Sequence, residues 1–309
     1  MATKLRIGTG GLPLTSEGGT IGGLQRLRQL GLEHLELEFV QSVFLKEDTA
    51  AEVAAAAEKN DITLSVHGSY FVNLASPEKA KWHAGIQRVV QAARIGAIAG
   101  AKSVTYHSGF IQGDLPGATE RVAEGTREIL EQVKAKQAEI NIAPELTGKA
   151  SQFGDREQLI QLVKKMREEG FDNMALCIDF AHQYARHLGQ FNTYDEFAYT
   201  IEDISKHLGE RTIHNLHMHV SAIEFGDKGE KNHLLLARSL AEYADYGVGV
   251  EGIEEHFKKL DAKRLGENKF DWKALLKALK ATGVGGYLVC ESPILELDAV
   301  LLQKYYQDL

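Results

Sequence analysis

The sequence predicts an α/β fold, a (β/α)8 TIM barrel formed by a single domain spanning residues 1–309. Three observations support this prediction. The chain has the length of one large α/β barrel. Eight strand-like segments alternate with helical segments along it, and no Pro- or Ser-rich linker interrupts the series. Alternation of this kind predicts a parallel sheet, and eight repeats predict that the sheet closes into a barrel.

The strand-like segments are short runs that are either apolar or alternate between apolar and polar residues. They lie at residues 5–9, 35–39, 62–67, 103–107, 140–145, 174–179, 213–220 and 287–291. The segments with helical patterning lie at residues 24–30, 49–59, 77–99, 117–136, 155–168, 194–207 and 271–282, with a terminal helix from Leu295. Residues 226–270 are too many for one loop, so we expect a helical insertion between strands seven and eight, with a helix near residues 234–243.

The composition is that of a globular protein, with 44% hydrophobic and 25% charged residues. Residues 1–6 lack the apolar core of a signal peptide, and no apolar run reaches membrane-spanning length. The two cysteines do not form a disulfide framework. These features predict a cytoplasmic protein with no membrane partner. The net charge of −8 weighs against phosphate binding unless bound cations offset it.

Imidazole and carboxylate side chains occur where the predicted strands end. Because side chains alternate between the two faces of a strand, these residues lie on the face opposite the bulky apolar residues. That polar face is expected to line the barrel. The residues are His67, His107, Glu145, Asp179, His217 with His219, and Glu291. Because parallel strands end at one rim, six such ends predict a shared site. A lone Asp179 at a strand end would ordinarily be a helix N-cap, and only its recurrence with the others favours a ligand role.

Imidazoles mixed with carboxylates are ligands suited to zinc or manganese. The set is too large for one tetrahedral ion. Glu145 could bridge two ions, and clustered ions suit the hydrolysis of phosphate esters. We therefore assign the central catalytic role to Glu145.

Five segments carry a resemblance to a known family. They read HGSYFVNL (67–74), YHSG (106–109), ELTG (145–148), CIDFAH (177–182) and CESP (290–293). In these segments, and in their order, the chain resembles the endonuclease IV family of apurinic/apyrimidinic endonucleases, zinc enzymes on the xylose isomerase-like TIM barrel, as a divergent member. The first and fourth segments are the most specific.

The resemblance implies two to three Zn²⁺ ions, with Mn²⁺ as an alternative. It implies that one ion is held by His67, His107 and Glu145, a second by Glu145, Asp179, His217 and Glu291, and a third by His182 and His233. It also places Tyr70 and Asn73 beside damaged double-stranded DNA. The alternative for Tyr70 is that it only packs the barrel rim.

At two points the sequence departs from the family pattern, so the identity of one ligand is undecided at each. Lys231 stands where the family carries the carboxylate of an Asp-x-His pair, so Glu230 is the candidate substitute in a weakened third site. His217 and His219 share the inward phase, and we prefer His217 because it keeps the family's four-residue step to Ser221.

The expected function is that of a zinc-dependent phosphodiesterase, an endodeoxyribonuclease that hydrolyses DNA 5′ to abasic sites during base excision repair. The alternative is a xylose isomerase-like sugar isomerase or epimerase that uses one divalent ion at Glu145, Asp179, His217 and Glu291. That alternative leaves His67, His107 and His182 without a role. A barrel that binds DNA or a protein without catalysis is the third hypothesis. The sequence does not define the oligomeric state.

Overall fold

The computed structural model describes residues 4–309, which contain ten strands. In chain order they are β1 (Leu5–Gly10), β2 (His34–Glu38), β3 (Thr63–His67), β4 (Ser103–Tyr106), β5 (Asn141–Pro144), β6 (Cys177–Asp179), β7 (Leu216–Val220), β8 (Ala222–Gly226), β9 (Gly229–Leu234) and β10 (Gly286–Cys290). β1 to β7 and β10 coincide with the eight predicted strands. The remaining two form a separate hairpin that was not predicted.

The eight strands form one parallel sheet in the order β5-β4-β3-β2-β1-β10-β7-β6. Two parallel bridges, Ile142 with Met174 and Glu145 with Cys177, join β5 to the β6 segment and close the barrel. The predicted (β/α)8 barrel is confirmed.

Helices follow the barrel strands. They are α1 (Gly19–Gln29), α2 (Glu47–Lys59), α3 (Lys79–Ile98), α4 (Leu115–Ala135), α5 (Arg156–Glu168), α6 (Phe180–Arg186), α7 (Tyr194–Leu208), α8 (Glu210–Ile213), α9 (Leu240–Asp245), α10 (Glu254–Lys258), α11 (Trp272–Ala281) and α12 (Glu296–Asp308). The two short helices α6 and α8 were not predicted. None of the helices within residues 4–309 is long and apolar enough to cross a membrane.

The apolar phase of the strands packs against the helices. Val66 of β3 meets α3 so closely that a Cβ added at Gly96 would lie 2.8 Å from its Cγ2 atom. Ile7, Val104 and Ile178 belong to the same buried hydrophobic core. The opposite phase lines the barrel and carries polar side chains toward the carboxyl-terminal rim.

The segment between β7 and β10 combines hairpin and helix. It opens with the antiparallel pair β8 and β9, whose register shifts between Glu224 and Phe225 because β9 carries an extra residue, a β-bulge. α9, α10 and a 3₁₀ turn at Ala262–Leu265 follow. Residues 226–270 therefore contain strand as well as the expected helix.

Candidate metal centre

The polar strand ends meet around one carboxylate, that of Glu145. This side chain is fully buried and directly follows β5. Ligand-type atoms in this region form four sets, and within each set these atoms lie within 4.8 Å of one another. The first three sets are His67–His107–Glu145, Glu145–Asp179–His219–Glu291 and His182–Glu230–His233, and the fourth, Cys177–His217–His219, lies deeper in the barrel.

The first set lies on the Oε2 side of Glu145. The Nε2 atoms of His67 and His107 are each 3.3 Å from Oε2. His67 is the last residue of β3, and His107 directly follows β4. The structure thus brings together three residues that the sequence predicted to share an ion.

The second set lies on the Oε1 side of Glu145. The Nδ1 atom of His219 is 3.4 Å from Oε1 of Glu145 and 3.3 Å from Oε1 of Glu291. Asp179 completes the set and also caps α6, because its Oδ1 accepts the backbone N–H of His182 at 2.7 Å. The other oxygen, Oδ2, makes no hydrogen bond. The N-cap and ligand interpretations of Asp179 are thus compatible, with one oxygen for each.

The structure groups His219, and not the preferred His217, with Glu145, Asp179 and Glu291. The β6–β7 register places Asp179 beside His219 and Cys177 beside His217. His217 therefore lies one layer deeper, where its Nε2 atom is 2.7 Å from Oε2 of Glu36. Both histidines point into the barrel, so side-chain phase alone could not distinguish them.

In the third set the carboxylate comes from Glu230 and not from position 231, where the family pattern has it. Oε2 of Glu230 lies 3.6 Å from Nε2 of His182, and its Oε1 lies 4.0 Å from Nε2 of His233. Lys231 is the extra residue of the bulge, so the alternation of side chains between the two faces of β9 shifts by one residue on the amino-terminal side of Asn232. Lys231 consequently turns outward to Glu224, at 3.7 Å, and Glu230 faces the centre. The structure thus brings Glu230, the candidate substitute, together with His182 and His233.

Backbone carbonyls orient three of the imidazoles. The Nδ1 atoms of His67, His182 and His233 lie 2.8, 3.1 and 3.0 Å from the carbonyl oxygens of Gly68, Leu146 and Glu291. A carbonyl only accepts, so each Nδ1 carries the proton and each Nε2 is left facing its set. Such contacts to the second nitrogen are the usual means of orienting metal-ligating histidines.

Several buried polar atoms at the centre have charged neighbours at 3.1 to 3.4 Å but no well-aligned hydrogen bond. Both oxygens of Glu145, Oδ2 of Asp179 and Nδ1 of His219 are among them. Unpaired buried polar atoms are costly, and convergent carboxylate and imidazole donors are those that divalent transition ions prefer. The residues present therefore fit divalent metal ions.

Burial and charge shift the titration of the centre in opposite directions. Burial alone would raise the pKa of Glu145, but its charge interactions with the adjacent imidazoles hold that pKa well below its usual range. Burial alone would lower the pKa of His67, but the hydrogen bond and charge of Glu145 raise it to about 10. Burial raises the pKa of Glu38, at the edge of the centre, to about 8.

The two predicted substrate-contacting residues lie on the loop after β3. Tyr70 is 58% exposed, and its ring centroid is 5.5 Å from that of His67. Asn73 lies against Gly109: a Cβ added there would be 2.1 Å from its Oδ1, and Gly109 has a φ of +109°. Only glycine suits that backbone and leaves room for the amide.

Sequence reasoning missed part of this region. Exposed aromatic rings of Phe44, Phe71 and Phe110 occupy the loops that follow β2, β3 and β4, and the only signal was their position after strand ends. Glu36, which lies on the same face of β2 as Glu38, was not among the predicted site residues. The bulge that selects Glu230 had no signal in the sequence.

Comparison with known proteins defines the family. The chain matches the family described as Xylose isomerase-like TIM barrel over residues 24–305. An uncharacterized protein of Methanocaldococcus jannaschii is 33% identical over 306 residues, covering 99% of this chain and 98% of the relative. A probable endonuclease 4 of Thermoplasma volcanium is 25% identical over 249 residues, covering 76% of this chain and 81% of the relative.

Solved structures share the fold at low identity. Endonuclease IV from Thermus thermophilus superposes with a TM-score of 0.65 at 17% identity, covering 97% of this chain and all of that chain (100%). A D-tagatose 3-epimerase-like protein gives a TM-score of 0.65 at 16% identity, covering 93% of this chain and 91% of that chain. At such identities the structural matches establish the fold alone. The extent of the family match and the similarity to endonuclease 4 establish that the chain belongs to the xylose isomerase-like TIM barrel family, as a divergent member related to endonuclease IV.

Proposed function

We propose that the protein is a metal-dependent endodeoxyribonuclease that hydrolyses the phosphodiester bond on the 5′ side of abasic sites in DNA. The observation that carries this proposal is the presence of three ligand sets around Glu145. An enzyme that needs one ion has no use for His67, His107, His182 and His233. A centre for clustered ions suits phosphodiester hydrolysis, in which both the attacking and the leaving oxygen need stabilisation.

Bound divalent ions would supply Lewis-acid polarisation of the phosphate and neutralisation of its charge. Glu145 divides its two oxygens between the first and second sets, at 3.3 and 3.4 Å from the facing imidazole nitrogens, and so would fix the spacing of two sites. The carboxylates and imidazoles of the sets favour zinc, with manganese as the alternative.

The rim supports a nucleic-acid substrate. Tyr70 lies beside His67 of the first set, and both Tyr70 and the next residue, Phe71, are exposed, at 58% and 57%. Exposed aromatic rings of this kind can stack on bases. An abasic position is cheaper to open because no base has to be unstacked. The net charge of −8 opposes DNA binding, and ions at three sites would reverse that effect locally.

A sugar epimerase is the second candidate function. The second set alone offers two carboxylates and an imidazole beside Glu145, which is sufficient for one divalent ion. The structural matches to a D-tagatose 3-epimerase-like protein and to endonuclease IV have the same TM-score of 0.65, so the fold is compatible with either candidate. The epimerase candidate leaves the first and third sets without a role, and for that reason we rank it second.

The test is an end-labelled duplex containing one abasic site, incubated with the Zn²⁺-loaded protein, the chelator-stripped protein and the stripped protein reloaded with Zn²⁺ or Mn²⁺. We expect a single nick 5′ to the lesion that is lost on stripping and restored on reloading, no nick in the matched intact duplex, and no activity in Glu145→Gln. Parallel incubation with ketohexoses tests the second candidate. Epimerised sugar with no nick at any metal loading would refute the nuclease proposal.

A further inference from the structure

Below the metal centre, the barrel interior is occupied by a chain of buried polar side chains. Barrels of this type are usually filled by branched apolar residues. Here six polar side chains from five of the barrel strands form a chain of contacts across the interior, and all are at most 5% exposed. They are His34, Glu36, Ser65, Ser103, His217 and Tyr287.

Glu36 of β2 is the acceptor at the centre of this chain. Its Oε1 lies 2.9 Å from Nε2 of His219. Its Oε2 lies 2.7 Å from Nε2 of His217 and 2.6 Å from the hydroxyl of Ser65. Three groups that can donate, the Nε2 atoms of two imidazoles and the hydroxyl of Ser65, thus converge on the two oxygens of Glu36. The carboxylate of Glu36 is therefore the shared acceptor.

One assignment of protons satisfies every contact on the His217 side. The Tyr287 hydroxyl donates to Ser103, whose hydroxyl donates to Nδ1 of His217 at 2.8 Å. That leaves the Nε2 proton of His217 for Glu36. On the other side, Nε2 of His34 donates to Ser65 at 2.9 Å, and Ser65 donates to Glu36.

The same reasoning fixes the proton on His219. Nε2 of His219 lies 2.9 Å from Oε1 of Glu36, and the carboxylate oxygen acts as the acceptor, so Nε2 is the nitrogen that carries the proton. The opposite nitrogen, Nδ1, faces Glu145 and Glu291. His219 is thus oriented in reverse to His67, His182 and His233, which all donate Nδ1–H to a backbone carbonyl. Its outward nitrogen is the one available to an ion.

We propose that Glu36 is a positioning residue for the second metal site: it retains the Nε2 proton of His219 and directs Nδ1 to the ion shared with Glu145, Asp179 and Glu291. This inference rests on the proposed metal binding but not on the DNA substrate. A carboxylate behind an imidazole both fixes the ring and makes its other nitrogen a stronger ligand.

A competing arrangement uses the same atoms. Cys177 offers a thiol within 4.8 Å of ligand atoms on His217 and His219, so an ion could lie deep in the barrel and bind both imidazoles through Nε2. The 3.1 Å separation of the two Nε2 atoms is compatible with either arrangement. In the arrangement that we propose, both Nε2 atoms donate to Glu36.

The first experiment needs no substitution. The Zn²⁺-loaded wild-type protein, labelled with ¹⁵N in its 12 histidines, is examined by two-bond ¹H–¹⁵N correlation, which reports the protonated nitrogen of each ring. We expect His219 with Nε2 protonated and Nδ1 bound to metal. His219 with a metal-bound Nε2, or with a protonated Nδ1, would overturn the proposal.

The second experiment measures Zn²⁺ affinity by competition with a chelator. Glu36→Leu keeps a similar volume but offers no acceptor, and we expect the affinity for one ion to fall about 10–100-fold while the others are unchanged. Glu36→Gln, which loses the charge but keeps the shape, should show a smaller loss. Ser103→Ala is the matched control, because it alters the chain beyond His217 and leaves the Glu36–His219 contact intact. Wild-type affinity in both Glu36 variants would contradict a positioning role. Because neither experiment uses DNA, the failure of the nuclease proposal would leave their outcomes unaffected.

Discussion

Replacing Glu230 with glutamine tests whether the third ligand set holds an ion. The carboxylate oxygens of Glu230 lie 3.6 and 4.0 Å from the Nε2 atoms of His182 and His233, so one ion between them can contact all three side chains. Glutamine keeps a neutral oxygen but removes a full charge from a side chain that is only 20% exposed. Unit charges about 4 Å apart interact by about 4 kcal/mol at an effective dielectric constant of about 20. We therefore expect the affinity of this site to fall by about a thousandfold.

The assay is native mass spectrometry after dialysis at defined free Zn²⁺, which counts the ions bound per chain. The wild-type protein is expected to retain three ions and Glu230→Gln two. Glu224→Gln is the matched control, because Glu224 lies on the outer side of the same hairpin, where it contacts Lys231 and Asn232. Lys231→Asp should not tighten the third site, since Lys231 points away from it. Three equally tight ions in Glu230→Gln would mean that Glu230 is not a ligand and that the bulge has no role in metal binding.

Two further predictions concern the same centre. Glu145→Gln should release at least two ions, because its oxygens serve the first and second sets, whereas Glu291→Gln should release one; equal losses in the two variants, again counted by native mass spectrometry, would mean that Glu145 is not shared. The third prediction is that Zn²⁺ affinity rises with pH. The pKa of His67 is raised from 6.5 to about 10 in the metal-free protein, so at neutral pH an incoming ion must displace its proton. That competition weakens as pH increases toward 10, and calorimetry in buffers of different ionisation enthalpy should detect the released protons; an affinity independent of pH between 6 and 9 would contradict the pKa assignment.

The barrel could be predicted because its signals are local. Each strand is a short apolar or alternating run, and each long helix has an apolar stripe, so eight alternating units were recognisable without knowledge of tertiary contacts. The helix α6 was missed because Asp179 both ends β6 and caps that helix, leaving no loop between them. The apolar run before Asp179 indicated a longer strand than the three residues observed.

The candidate site was only partly predictable, for geometric reasons. The alternation of side chains along a strand indicates which residues face the barrel interior. How deep each residue lies along the barrel axis depends on the register between strands, and that register places His219, and not His217, beside Asp179. The bulge in β9 likewise shifts the alternation of side chains by one residue, so Glu230 faces the site and Lys231 does not. Neither the shear of a barrel nor the position of a bulge leaves a pattern in the sequence of a single strand.

The third ligand set joins two parts of the chain that the barrel sheet does not connect. His182 lies on α6, directly after β6, whereas Glu230 and His233 lie on β9, which pairs only with β8. An ion held by these three side chains acts as a reversible cross-link that closes a loop of about 50 residues. Cross-links of that span restrict the unfolded chain by several kcal/mol in polymer models. Occupancy of the third site would therefore determine how often the β8–β9 hairpin opens locally. The free concentration of the metal ion and the local stability of this hairpin would then be thermodynamically linked.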